Sequence, residues 1–151
     1  MTTARAVRGL PPTGVIVQGL LEAVITPDRL DQIIGSADTE TAFGLRDQKG
    51  QVFPFVTDPC GRTHIFNAAE TSLIDQIQML QDAGIRYGVI DARWRGDLYS
   101  RDMTHIWYDA IKNSESGERS KKDGEIKDAI RACAYGVLTS ATWKRGLCRS
   151  E

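Results

Sequence analysis

The densest group of chemically capable side chains is Asp58-Pro59-Cys60-Gly61-Arg62-Thr63-His64, with Asn67 just beyond it. Cys60 and His64 are candidates for a thiolate–imidazole pair, with Arg62 binding an anion or lowering the thiol pKa. If residues 63–66 form a strand, side chains alternate, so Arg62 and His64 share a face. Cys60 precedes Gly61, whose backbone can turn it in any direction. The competing reading is a polar strand start held by Asp58. A second group, Asp91-Ala92-Arg93-Trp94-Arg95, follows the buried-strand pattern Tyr87-Gly88-Val89-Ile90. Asp91 is a candidate general acid or base, or an orienting partner for Arg93. Arg93 and Arg95 can grip a carboxylate or phosphate, and Trp94 offers a stacking face. In open α/β sheets ligands bind outside the carboxyl ends of the strands, where this segment should sit. The competing reading is an Asp–Arg pair that only tethers a loop.

Other candidates carry less. Cys133 lies in an apolar helical stripe and reads as a small core residue. Cys148 is near the chain end, and His105 reads as a solvated histidine. Trp143-Lys144-Arg145-Gly146 could touch a nucleic-acid backbone, although a short basic tail is more often a solvated end. There is no phosphate loop, dinucleotide fingerprint or paired-cysteine zinc pattern, and no metal site is expected.

The elements that must position these groups follow from periodicity. Residues 1–13, with Pro11-Pro12, read as an irregular lead-in to a domain over 14–151. Val15-Ile16-Val17 and Ala23-Val24-Ile25 are β-rich and separated by Gln18-Gly19, giving one kinked strand or two short ones. Thr26-Pro27 reads as a helix start, and Gly35 as its end. Phe43 to Leu45 and Val52 to Val56 flank Asp47-Gln48-Lys49-Gly50 as a hairpin, within a β-rich insertion over about 43–66. Pro54 places its strand at an edge or bulge. Asn67 and Glu70 resemble a capping box for a helix over 71–83, ended by Gly84. A helix capped by Ser100 carries the stripe Met103, Ile106, Trp107, Ala110 and Ile111. Residues 112–124 read as a polar loop, and Ile126 to Ala134 as a last helix closed by Gly136.

The alternation of helix, strand and helix favours a parallel sheet covered by helices. The fold class is therefore α/β: a partial (β/α) barrel-type sheet with helices and a β-hairpin insertion. A closed eight-stranded barrel typically takes about 250 residues, and this chain has 151. An incomplete sheet leaves an edge that needs a covering loop, a second copy or another chain. A homo-oligomer, or a second chain supplying the rest of the barrel, is the expected partner.

Bulk properties bound the rest. A composition 41% hydrophobic and 26% charged belongs to an ordinary globular domain. The net charge of -1 gives no global pull toward nucleic acid or an anionic membrane. No apolar run is long enough to span a bilayer, and the first residues lack a secretory pattern. Three widely spaced cysteines in such a chain argue for reduced thiols in a cytoplasm.

Several segments, taken in order, resemble the C-terminal half of the collagenase-like peptidases, family thirty-two of the peptidases of unknown mechanism. They are Val15 to Gly19 with Glu22 to Ile25, Leu45-Arg46-Asp47 with Gly50 to Pro54, Cys60 to Asn67, Ala83-Gly84-Ile85, Ile90 to Arg93 and Thr139 to Gly146. The set is most similar to the archaeal-type branch. The resemblance implies a barrel-derived α/β fold with a β-rich insertion, and a peptidase acting on peptides, in a family whose catalytic residues are not established. In that light Cys60, His64 and Asp91 are the catalytic candidates. Arg62, Arg93 and Arg95 are the substrate-binding candidates, expected around one opening. Other members of the family hydroxylate RNA bases or quinone precursors with an iron–sulfur cluster held by four cysteines. This chain carries Arg29 and Ser72 where those relatives have cysteines, and Ala141-Thr142-Trp143 in place of a glycine–histidine–aromatic motif. Four thiolates are needed and three cysteines are present, so no cofactor is expected from this chain alone. The alternatives to a peptidase are a non-catalytic or regulatory subunit pairing with an N-terminal barrel half, and part of a cluster-dependent hydroxylase.

Overall fold

The computed structural model describes residues 11–34, 43–116 and 119–140, without the side chains of residues 116 and 119–123. The chain divides into two compact units, one over Met1–Gly19 and Glu70–Glu151, the other over Leu20–Ala69.

In the larger unit a four-stranded sheet has the order β7-β1-β6-β8, formed by β1 (Gly14–Gly19), β6 (Ala69–Ser72), β7 (Tyr87–Asp91) and β8 (Val137–Thr139). β1 runs parallel to β7 and antiparallel to β6. The β-branched run Val15-Ile16-Val17 suits a pleated, half-covered surface. A register irregularity between Ile16 and Gln18 interrupts the alternation of faces, and both Val17 and Gln18 are buried. Helices α2 (Ile77–Asp82), α3 (Gly96–Ser116) and α4 (Arg119–Cys133) complete this unit. Its core joins Val17, Leu73, Ile77, Leu80, Trp107 and Ala110 to a second cluster of Tyr99, Met103 and Ile130. On α3 the buried positions Tyr99, Met103, Trp107 and Ala110 fall on one stripe at helical spacing.

The structure corrects several expected elements here. Residues 71–83 are not one helix: Glu70-Thr71-Ser72 belongs to strand β6, and α2 begins only at Ile77 after a 3₁₀ turn over Ile74–Gln76. The capping-box pattern loses because strand pairing with β1 places the Glu70 side chain in the interior, among partners a helix cap cannot offer. Helix α3 starts at Gly96, four residues early, and the Ser100 hydroxyl donates to the Gly96 carbonyl as an interior residue rather than a cap. The expected polar loop over 112–124 is mostly helix. Gly84 and Gly136 do follow α2 and α4, each with a positive φ.

In the smaller unit the sheet order is β2-β5-β4-β3, from β2 (Glu22–Thr26), β3 (Phe43–Arg46), β4 (Val52–Thr57) and β5 (Thr63–Phe66). The expected hairpin is present, with Phe43 opposite Phe55 and Arg46 opposite Val52. Asp47 closes its turn by accepting from the backbone N–H of Lys49 and Gln51, both at 2.8 Å. β4 is an inner strand, not an edge, but Pro54 lies one step beyond Phe55, where pairing with β5 ends. Its missing donor is therefore not needed on that side. Thr26 is not a helix cap; it accepts from the Asp28 N–H, and the short α1 is Leu30–Ile33. Gly35 lies outside the described residues.

Candidate functional site

In the smaller unit the turn between β4 and β5 is organised by Asp58. Its Oδ1 accepts from the Arg62 backbone N–H at 2.9 Å, and its Oδ2 accepts from Arg62 Nε at 2.9 Å. His64 Nε2 lies 3.1 Å from the same Oδ2, and His64 Nδ1 lies 3.2 Å from Glu22 Oε1. Arg62 and His64 thus do share a side, as strand alternation requires. The Arg62 N–H, then His64 and the guanidinium, hold the Asp58 carboxyl well below the usual carboxylate range. Both imidazole nitrogens face carboxylates, leaving no ring nitrogen to take a proton from Cys60 in this arrangement. Cys60 itself is exposed at the turn, beside Gly61 with its positive φ.

In the larger unit Asp91 ends β7, the strand that runs parallel to β1. Its Oδ1 accepts from the Arg93 N–H and Nε, and its Oδ2 from Nη2 at 2.7 Å. This fork holds the Asp91 carboxyl below its ordinary value. The Asp91 side chain is buried, while half of Arg93 is exposed. Trp94 is exposed and has φ 63°, a left-handed conformation that costs a non-glycine residue energy. The loop is held in that shape from below. The Arg95 N–H donates to the Ala92 carbonyl at 3.1 Å, and its side chain turns inward. There Nη1 donates to Glu70 Oε2 at 3.1 Å and Nη2 to the Cys133 carbonyl at 2.8 Å. The guanidinium also lies over the Tyr99 ring, 4.2 Å from its centre.

Glu70, fully buried, is the centre that sequence reasoning missed. It accepts from Gln18 Nε2 and from the Tyr99 hydroxyl, and its Oε2 also takes the Tyr135 N–H at 2.8 Å. Trp107 Nε1 donates in turn to Gln18 Oε1 at 3.4 Å. Burial, reinforced by Glu70, pushes the Tyr99 hydroxyl pKa far above its ordinary value. The available signal was only that Gln18 follows the β-rich run Val15-Ile16-Val17. Spacing cannot show that Gln18 and Glu70 lie on adjacent strands.

Of the predicted residues, then, Asp91 and Arg93 form one unit at the end of β7. Arg95 serves the loop's interior support, so Arg93 and Trp94 are its outward groups. Cys60, Arg62 and His64 belong to the Asp58 turn. Cys133 is partly buried against the Tyr99–Met103–Ile130 cluster, and His105 is exposed. Cys148 and the Trp143 tail lie outside the described residues.

The model of peptidase family U32 matches residues 36–143, most of the chain. The chain belongs to peptidase family U32. Comparison with curated proteins and with solved structures gave no match.

The donor set does not fit the four-thiolate cluster of some relatives. At the substituted positions Arg29 is paired with Asp31 at 2.8 Å and Ser72 offers only a hydroxyl. No group of three potential metal ligands is found among the described residues. No described helix is long and apolar enough to cross a membrane.

Proposed function

We propose that this chain acts on peptides as a collagenase-like peptidase and holds them on the Asp91–Trp94 loop. The observation that carries this reading is the loop itself. A half-exposed guanidinium, oriented by a buried carboxylate, stands beside an exposed indole at the carboxyl end of a parallel strand. Arg93 would take a carbonyl or carboxylate of the peptide, and Trp94 would cover a side chain. A general base works best with a pKa near the working pH. With its pKa lowered, Asp91 suits the work of orienting Arg93 better than that of removing a proton.

The test is hydrolysis of a fluorogenic peptide library by the purified chain. Arg93→Gln should raise KM roughly ten- to hundred-fold, the effect of one charge-assisted hydrogen bond, with the variant still folded at the assay temperature. Unchanged KM removes the loop from the site.

A second reading has its own observation. Among the described residues β7 is the outer strand of its sheet, and Tyr87, Val89 and the neighbouring Ile16 are exposed on it and beside it. An open edge with apolar side chains is a template for pairing. It supports a non-catalytic subunit that completes a barrel with a second copy or another chain. Sedimentation as a strict monomer in all conditions would count against it.

A further inference from the structure

A cavity of about 420 Å³ is bounded by β6, β8 and α4, within the range of small-ligand sites. We propose that it binds a carboxylate carried on a short apolar body, such as the last residue of a peptide or a free small acid. Its walls include Ile74, Ile130 and Leu138, which offer an apolar surface. Lys127 and Arg131, one helical turn apart on α4, bring two positive charges to it, and among the described residues Asp75 is the only acidic one in the lining. Lys127 pairs with Asp75 at 2.7 Å and Arg131 with Asp128 at 2.8 Å. The Arg131 pair is exposed on both sides, so it is held weakly and its guanidinium can turn to a ligand at little cost. Ser72 also lines the cavity, its hydroxyl buried and without a hydrogen-bonding partner among the described residues. An anion held at Arg131 has the apolar wall behind it.

This site does not depend on hydrolysis. Binding without turnover would leave it standing while removing the peptidase reading. The experiment is a backbone-amide NMR titration of the full chain with N-acetyl-leucine, its neutral amide, N-acetyl-Gly-Gly-Leu and inorganic phosphate. The two acids should give saturable shifts at Ser72, Ile130 and Leu138 at about millimolar concentration or below, and the neutral amide should not. Arg131→Gln should weaken the acids roughly ten-fold, and its exposed side chain makes loss of the fold unexpected; an unchanged melting temperature confirms that control. Tighter binding of the tripeptide assigns the site to peptide ends, and equal binding of N-acetyl-leucine assigns it to small acids. The proposal is overturned by absence of saturable shifts, by equal binding of the amide, by phosphate binding as well as either acid, or by an unaffected Arg131→Gln variant.

Discussion

Replacing Glu70 by alanine should be the most damaging single change in the larger unit. The carboxylate is fully buried and carries Gln18, Tyr99, Arg95 and the Tyr135 N–H. Its removal leaves the mostly buried Arg95 guanidinium without its counter-charge and the Tyr99 hydroxyl without its acceptor. Breaking a buried ion pair from one side typically costs about 3–5 kcal/mol. At roughly 2–4 °C per kcal/mol for a chain of this size, the melting temperature should fall by about 6–20 °C. Urea unfolding followed by tryptophan fluorescence suits the measurement, because the Trp107 indole is hydrogen-bonded to Gln18 at the edge of the same network. An Arg95→Met partner completes a double-mutant cycle. Replacing a buried pair by apolar groups is often nearly neutral, so the double variant should recover much of the loss. A Glu70→Ala cost below about 1 kcal/mol, or strictly additive single effects, would show that the network does not hold the β7 loop as argued.

Three other outcomes follow from named geometry. Tyr99 should resist titration: its folded-state pKa is raised, so its contribution is complete below about pH 10 and is lost as pH rises above that. Absorbance at alkaline pH should show one tyrosine ionising only as the chain unfolds, and Tyr99→Phe should remove that step. Asp58 works in the opposite sense. Its lowered pKa means that stabilisation is present above the unfolded value near 3.8 and is lost as pH falls below it. Asp58→Asn should therefore flatten the acid limb of the unfolding profile. Gly19→Ala should destabilise by more than about 1 kcal/mol in urea titration. Gly19 has φ 131°, and a Cβ there would press on the Asp91 carbonyl.

Much of the secondary structure was legible because it rests on local signals. The hairpin turn at Asp47 to Gly50, the α3 stripe and the glycines after α2 and α4 are written in short-range spacing. So was the likeness to the peptidase family, since ordered motifs survive without knowledge of contacts. The Asp91–Arg93 fork was legible for the same reason, its partners being two residues apart.

What failed was long-range. Glu70 read as a helix cap because Asn67 and an acidic residue three positions on form a good local pattern. It became part of strand β6 because Gln18, Tyr99 and Arg95, 52, 29 and 25 residues away, converge on it. Arg95 read as a ligand group because charge type says nothing of direction, and burial beneath the loop decides that it supports Trp94 and Arg93 instead. The sequence by itself determined the α/β class, the family and the pairing of Asp91 with Arg93. Only the tertiary structure decided which of those charges face outward, because a buried charge is stable only where distant strands supply its partners.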